Sequence, residues 1–305
     1  AMSADAGGVF TATLPAMADK TIVEFYVSAT DGTLTRTWPA PTSEGQNANA
    51  VYQVDNEAIA GNAPTYRLIL TGAENAAYTS VALTNAQSNR QFNVTLVATR
   101  GSEATIRYRA SMRIRGQSSR SYTFKPLRIS LPTDDRWDDV TDFALNPKYP
   151  WLQFLAMRLQ RAAGLPAADV TPVEVRRNGV EYSTGSSNAL DYGRWVRVED
   201  INADYVDRHW PNAADGQVYR KEGSSYWNST AAAPTNPDTL WSGWGKENHR
   251  ALNDWSDVID FSRLWQQTAA SHFTNAATGN VQAGTWNGVA FSDAEIATLS
   301  SVVDF

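Results

Sequence analysis

Apolar and polar positions alternate most clearly between Arg107 and Leu131. Tyr108, Ala110, Met112 and Ile114 interleave with Arg107, Arg109, Ser111, Arg113 and Arg115, the period of a strand with one apolar and one cationic face. Gly116-Gln117-Ser118-Ser119 interrupts the pattern as a flexible, hydroxyl-bearing turn, and Lys125, Leu127, Ile129 and Leu131 mark a return strand. Upstream, Val9 to Leu14, Thr21 to Thr30, Thr33 to Trp38 and Ala50 to Val54 are short strand signals, with Asp31-Gly32 as a hairpin turn. Asp55 to Pro64 has linker composition, Tyr66 to Leu70 and Gln91 to Ala98 are strands, and Thr71 to Tyr78 fits a helix capped by Thr71 with Glu74 at the capping-box position. Downstream, Trp151 to Ala163 is a helix with the apolar stripe Trp151, Leu152, Leu155, Leu159 and Ala162, ended by Gly164 and Pro166. Thr171 to Arg176 and Val180 to Tyr182 flank the hairpin turn Asn178-Gly179. Arg194 to Glu199 and Gln217 to Lys221 are strands around a short helix, Ile201 to Trp210, and two helical stretches follow, Asp254 to Thr274 and Ser292 to Val303.

These elements predict an α+β chain in two parts. Residues 1–56 look like the last strands of an immunoglobulin or fibronectin type III module. Only about four of the roughly seven strands of a complete sandwich are visible, so an incomplete β-sandwich is expected there, with a second domain over 57–305. The abrupt first and last residues are those expected of a chain cut inside larger modules.

Composition narrows the function classes. The net charge of −6 and a pI near 5.2 make a nucleic-acid partner unexpected, because the basic ribbon is local. There is no cysteine, hence no disulfide, thiolate nucleophile or cysteine zinc site. No apolar run approaches the ~20 residues of a membrane span. A low charged fraction of 19%, with abundant Ala, Thr, Asn and Ser, is the composition of many secreted bacterial proteins; the expected location is extracellular or at the cell surface. Ordinary catalytic patterns are missing: His209, His249 and His272 show no ligand spacing, and no Walker A loop, nucleophile elbow or dinucleotide fingerprint occurs. Asp134, Asp135, Asp138, Asp139 and Asp142 form an acidic loop without calcium-loop spacing, either helix-capping and solvated or metal-binding. From residue types alone the ribbon is either an anion cradle of arginines, hydroxyls and one lysine or a solvated cationic face.

MRIRGQSSRSYTFKPLRISL resembles the opening signature of the CotH (spore coat protein H) kinase family: an Arg-Gly, a Ser-Ser, then a lysine before an alternating strand. The following YPWLQFLAMRLQRAAGLP, VEVRRNGVEY, WVRVEDI and VYRK agree in order, and the resemblance runs from about Tyr66 to Lys221, with weaker agreement through Phe305. The resemblance implies an atypical protein-kinase-like fold that transfers phosphate from ATP to Ser or Thr of a protein substrate with magnesium. It implies that Gly116, Ser118 and Ser119 belong to the nucleotide-covering loop, that Lys125 contacts phosphate, that Glu199 orients such a lysine, and that Lys221 lies near the nucleotide pocket. The family's metal-binding aspartates, one in a Trp-Asp-x-Asp-like segment, have no match after Lys221: Trp137-Asp138-Asp139 comes too early and Asn253-Asp254-Trp255 has the wrong order. Nucleotide-side residues are therefore expected here, no catalytic or metal residue is assigned, and the chain alone is expected to be inactive. The rival is a structural or adhesive surface scaffold whose incomplete sandwich is finished by a strand from a neighbouring copy; Trp227, Trp241 and Trp244 in the polar stretch 222–250 would pack or adhere.

Overall fold

The computed structural model describes residues 1–41, 48–57, 63–182, 194–221, 232–236, 238–269, 273–274 and 285–286, with 292, 294 and 297. Its chain divides into two compact units, Ala1–Asp200 and Ile201–Phe305.

The first unit begins with strands that pair two by two: β1 (Ser3–Ala4) with β2 (Phe10–Thr11), β3 (Ile22–Phe25) with β6 (Ala50–Gln53), and β4 (Val27–Thr30) with β5 (Thr35–Trp38). The single strand expected over Thr21 to Thr30 is two, because the chain changes partner at Tyr26. The Asp31-Gly32 turn is as expected: Asp31 Oδ1 accepts from the amides of Thr33 and Leu34, and Gly32 takes φ +93°. Tyr108 of the cationic ribbon packs edge-on against both Phe25 and Trp38, with ring centroids 5.5 Å apart in each case. Beyond it, Asp55 and Glu57 reach Arg67 and Arg176, at 3.6 and 2.7 Å.

The centre of this unit is a closed seven-stranded barrel. Its strands are β7 (Thr65–Ile69), β8 (Phe92–Arg100), β9 (Glu103–Ile114), β10 (Leu127–Ser130), β11 (Asp142–Asn146), β12 (Val170–Arg177) and β14 (Trp195–Glu199), with β13 (Val180–Glu181) hairpinned onto β12. Strands β7 to β11 form an antiparallel meander; β14 pairs with β11 and β12, and β12 closes the ring by pairing parallel to β7. Alternate side chains fill the interior, among them Leu68, Leu96, Met112, Ile114, Leu127, Ile129, Phe143, Val175 and Trp195, all essentially inaccessible. This resolves the ribbon's two faces: Ala110, Met112 and Ile114 are core, whereas Arg109, Arg113 and Arg115 are not.

Helix α1 (Gly72–Thr84) is longer than the sequence pattern indicated, and Thr71 caps it by accepting from the Glu74 amide at 3.2 Å. Helix α2 (Pro150–Ala162) runs against β12 and β14. It is half-buried at Gln153, Phe154 and Met157, while Trp151, Leu152, Leu155 and Leu159 of the expected core stripe stay 54–63% exposed. Periodicity identifies an apolar face but not what it meets.

In the second unit, α3 (Ala203–His209), a strand pair β15 (Tyr219–Lys221) and β16 (Trp244–Lys246), and α4 (Ser256–Ala269) are described, with a further pair β17 (Phe273–Thr274) and β18 (Thr285–Trp286). Trp241, Trp255, Val258 and Ile259 make its core. Trp227, His272 and most of the helix expected over 292–303 lie outside the described residues. Among the described residues no helix is long and apolar enough to cross a membrane.

Candidate functional site

The ribbon's turn is built more rigidly than a flexible glycine-serine loop. Gly116 follows β9 with φ +91°, an angle that favours glycine, and a Cβ there would also make the Ser119 hydroxyl rotate away from its present place 2.0 Å off. Ser118–Ser121 then form a 3₁₀ turn, in which Ser121 Oγ donates to the Ser118 carbonyl. The Arg115 amide donates to the Pro126 carbonyl and closes the base of the loop at 2.9 Å. The amides of Arg120 and Tyr122 turn back to the carbonyls of Gln117 and Ser119; Gly116, Gln117 and Ser118 are exposed, and among the described residues the N–H groups of 116–119 have no backbone partner.

Arg120 is the support that sequence reasoning missed. Its guanidinium is buried, donating through Nε to the Gly116 carbonyl at 2.5 Å and through Nη1 to the carbonyls of Gln87 and Ser88 at 2.8 and 2.9 Å. A longer bond reaches the Ala86 carbonyl, and Nη2 meets Asn89 Oδ1 at 2.6 Å. These acceptors follow the C-terminal end of α1, where orphan carbonyls favour a cation. The turn is therefore fastened to the α1–β8 connection. An arginine inside a polar loop carries no sequence signal that separates this role from solvation.

The same side of the barrel concentrates positive charge. Arg113 and Arg128 face each other across β9 and β10. Burial, reinforced by Arg128, Arg120 and Arg115, holds the Arg113 guanidinium below the usual arginine range. Arg128 contacts Asp142 and Asp200 at 3.0 Å each, and Arg115 approaches Asp200 at 3.9 Å.

Of the six predicted nucleotide-side residues, the fold brings Gly116, Ser118, Ser119 and Lys125 together in this one loop. The Lys125 ammonium donates to the Tyr122 carbonyl at 2.6 Å, and burial lowers its pKa. Glu199, 97% buried on β14, accepts from the Asp169 amide at 2.9 Å, and its own amide donates to the Asp169 carbonyl. Among the described residues, Lys125 and Glu199 do not form an ion pair. Lys221 belongs to the second unit. Its ammonium donates to the Ser242 carbonyl at 2.6 Å and lies 5.8 Å from the Trp244 ring centroid, with burial lowering its pKa. The expected acidic loop is partly consumed by the barrel: Asp134 and Asp138 pair with Arg109 and Arg197, each at 2.8 Å.

What the loop can do chemically is receive an anion: it offers amides at a fixed tip, two serine hydroxyls, a nearby ammonium and a rim of arginines. Comparison with known families finds the same family, over a stretch that starts later than the expected Tyr66 and runs past Lys221. The family model described as CotH kinase protein matches residues 112–278, more than half of the 305-residue chain, beginning at Met112 just before the loop. No curated protein matches the chain.

Proposed function

The chain belongs to the CotH kinase protein family, and from that membership we propose that it carries the ATP-binding side of a domain that phosphorylates Ser or Thr of a protein substrate. The observation that carries this reading is the Gly116–Lys125 loop, with its tip amides, Ser118, Ser119 and Lys125, held by Arg120. In this reading the loop amides and the Lys125 point charge hold phosphate oxygens. Glu199 joins the nucleotide side by turning from its present backbone partner. ATP, when bound, supplies the transferable phosphate.

The residues of the loop and its flanking strands fit the phosphate end of the nucleotide better than they fit magnesium. Asp142 and Asp200 of this face are both committed to arginines, which disfavours a cation there, and the sequence after Lys221 has no Trp-Asp-x-Asp segment. Binding, rather than turnover, is accordingly the property to measure on this chain. Calorimetric titration with ATP, with and without magnesium, should show saturable binding that weakens about tenfold in Lys125→Ala. Absence of binding, or equal affinity in the variant, overturns the assignment. We read the protein as part of an extracellular or surface-exposed bacterial assembly, on composition.

A second reading, a non-catalytic scaffold or filament subunit, draws on a specific observation. The strands of residues 1–57 form only two-stranded pairs among the described residues, each with open edges able to accept a neighbour's strand. Light scattering separates the two readings: concentration-dependent assembly without ATP binding favours the scaffold.

A further inference from the structure

A second concavity lies away from the loop, where the N-terminal strands and α1 meet β8 and β9. It measures about 300 Å³, the lower end for a small-ligand site, which fits one ring and little more. A β-bulge forms its wall. Between the pairs Val94↔Ala110 and Leu96↔Arg107, Thr95 alone opposes Tyr108 and Arg109, and such bulges re-aim side chains beside functional sites.

Among the described residues, two polar atoms at this wall lack partners. Thr95 is 99% buried and its hydroxyl makes no hydrogen bond. Glu74 departs from its expected capping-box role. Its amide is capped by Thr71, but its carboxylate turns to Asn93, whose amide donates to Oε1 at 3.2 Å, and Oε2 has no partner. Buried orphans of this kind each cost stability unless a partner arrives. The opposite rim repeats the arrangement, with Asn49 donating to Glu24 at 2.9 Å. Pro39, Val51 and Tyr108 supply an apolar side.

Charge and donor balance select the ligand. Among the described lining residues two are carboxylates, and the one cation, Arg109, is neutralised by Asp134 at 2.8 Å, so a phosphate is repelled. The Thr95 hydroxyl, which can donate and accept, and Ser111 Oγ, which donates to Gln91 at 3.0 Å and can still accept, stand beside carboxylate–amide pairs. That mixture suits ligand hydroxyls better than an ammonium or a metal ion, which need acceptors only. We propose that this cleft binds a neutral sugar ring, whose hydroxyls donate to Glu74 and Glu24 and accept from Thr95 while a C–H face meets Tyr108. The proposal is independent of nucleotide binding by the loop.

Saturation-transfer NMR and calorimetry with the whole chain test it, using the methyl glycosides of glucose, galactose and N-acetylglucosamine and their β-1,4 disaccharides. At least one probe should bind saturably. Thr95→Val and Glu74→Gln should each weaken it about fivefold or more, while Thr95→Ser, which keeps the hydroxyl, should not. If Glu74→Gln fails to fold, the Val and Ser variants at Thr95 decide alone. The proposal is overturned if no probe binds, if binding is indifferent to Thr95→Val, or if calcium binds in a Glu74-dependent manner while every sugar fails.

Discussion

Arg120 is a buried cation held by carbonyls and an amide oxygen, so its worth is geometric: one planar fork reaches both Gly116 and the chain leaving α1. Arg120→Ala would leave several partly buried carbonyls without donors, and we expect it to lower the unfolding free energy by about 3 kcal/mol in urea titrations. Arg120→Lys should recover less than half, because a point charge cannot span the two segments. An alanine variant as stable as the parent would show that the loop does not depend on this side chain. Gly116→Ala, forced into φ +91°, is expected to cost about 1 kcal/mol and to weaken ATP binding with it. The glycine was legible in the sequence as a turn former; the arginine beneath it was not, since all its partners except Gly116 lie 31 or more residues upstream.

Among the elements, the Asn178-Gly179 turn shows how a local signal can have a distant use. Both residues take positive φ, as the hairpin between β12 and β13 requires. Yet the Asn178 side chain also accepts from the Leu70 amide at 2.8 Å and donates to the Leu70 carbonyl at 3.1 Å, clamping the end of β7. Asn178→Gly retains the turn and deletes the clamp; it should destabilise by about 2 kcal/mol and speed hydrogen exchange at the Leu70 amide. Unchanged exchange there would assign the residue to the turn alone. Most strands were readable because alternation at Tyr108–Ile114 or Val173–Val175 reflects a half-buried wall. Strand β11 (Asp142–Asn146) was not, being five residues behind an acid-rich loop, and neither was the β12–β7 pairing, for which no local pattern exists. The candidate loop was legible as residue types in order, whereas the separation of Lys125 from Glu199 depends on where Asp169 holds the acid.

For the molecule as a whole, tyrosines buried in the barrel unit set its alkaline limit. Burial, the largest influence, pushes the Tyr66 phenol up to about 12, and Tyr78 and Tyr182 are raised as well. Above pH 10 the unfolded chain releases phenolic protons that the fold retains, so stability must fall as pH rises through that range. Tyr66 alone should account for roughly 1 kcal/mol between pH 9 and 11. Denaturation midpoints of Tyr66→Phe should therefore decline less steeply over that interval than those of the parent; an identical slope would refute the assignment. The ring to which Tyr66 belongs has one parallel seam, β7 against β12, and the residues clamped at its end are 108 positions apart in the chain. A nascent polypeptide cannot complete that ring until the segment around Asn178 has left the ribosome. Until then Thr65–Ile69 offers its free edge to whatever strand is nearby, so the interval between synthesis of the two partners is when this protein is most exposed to mispairing.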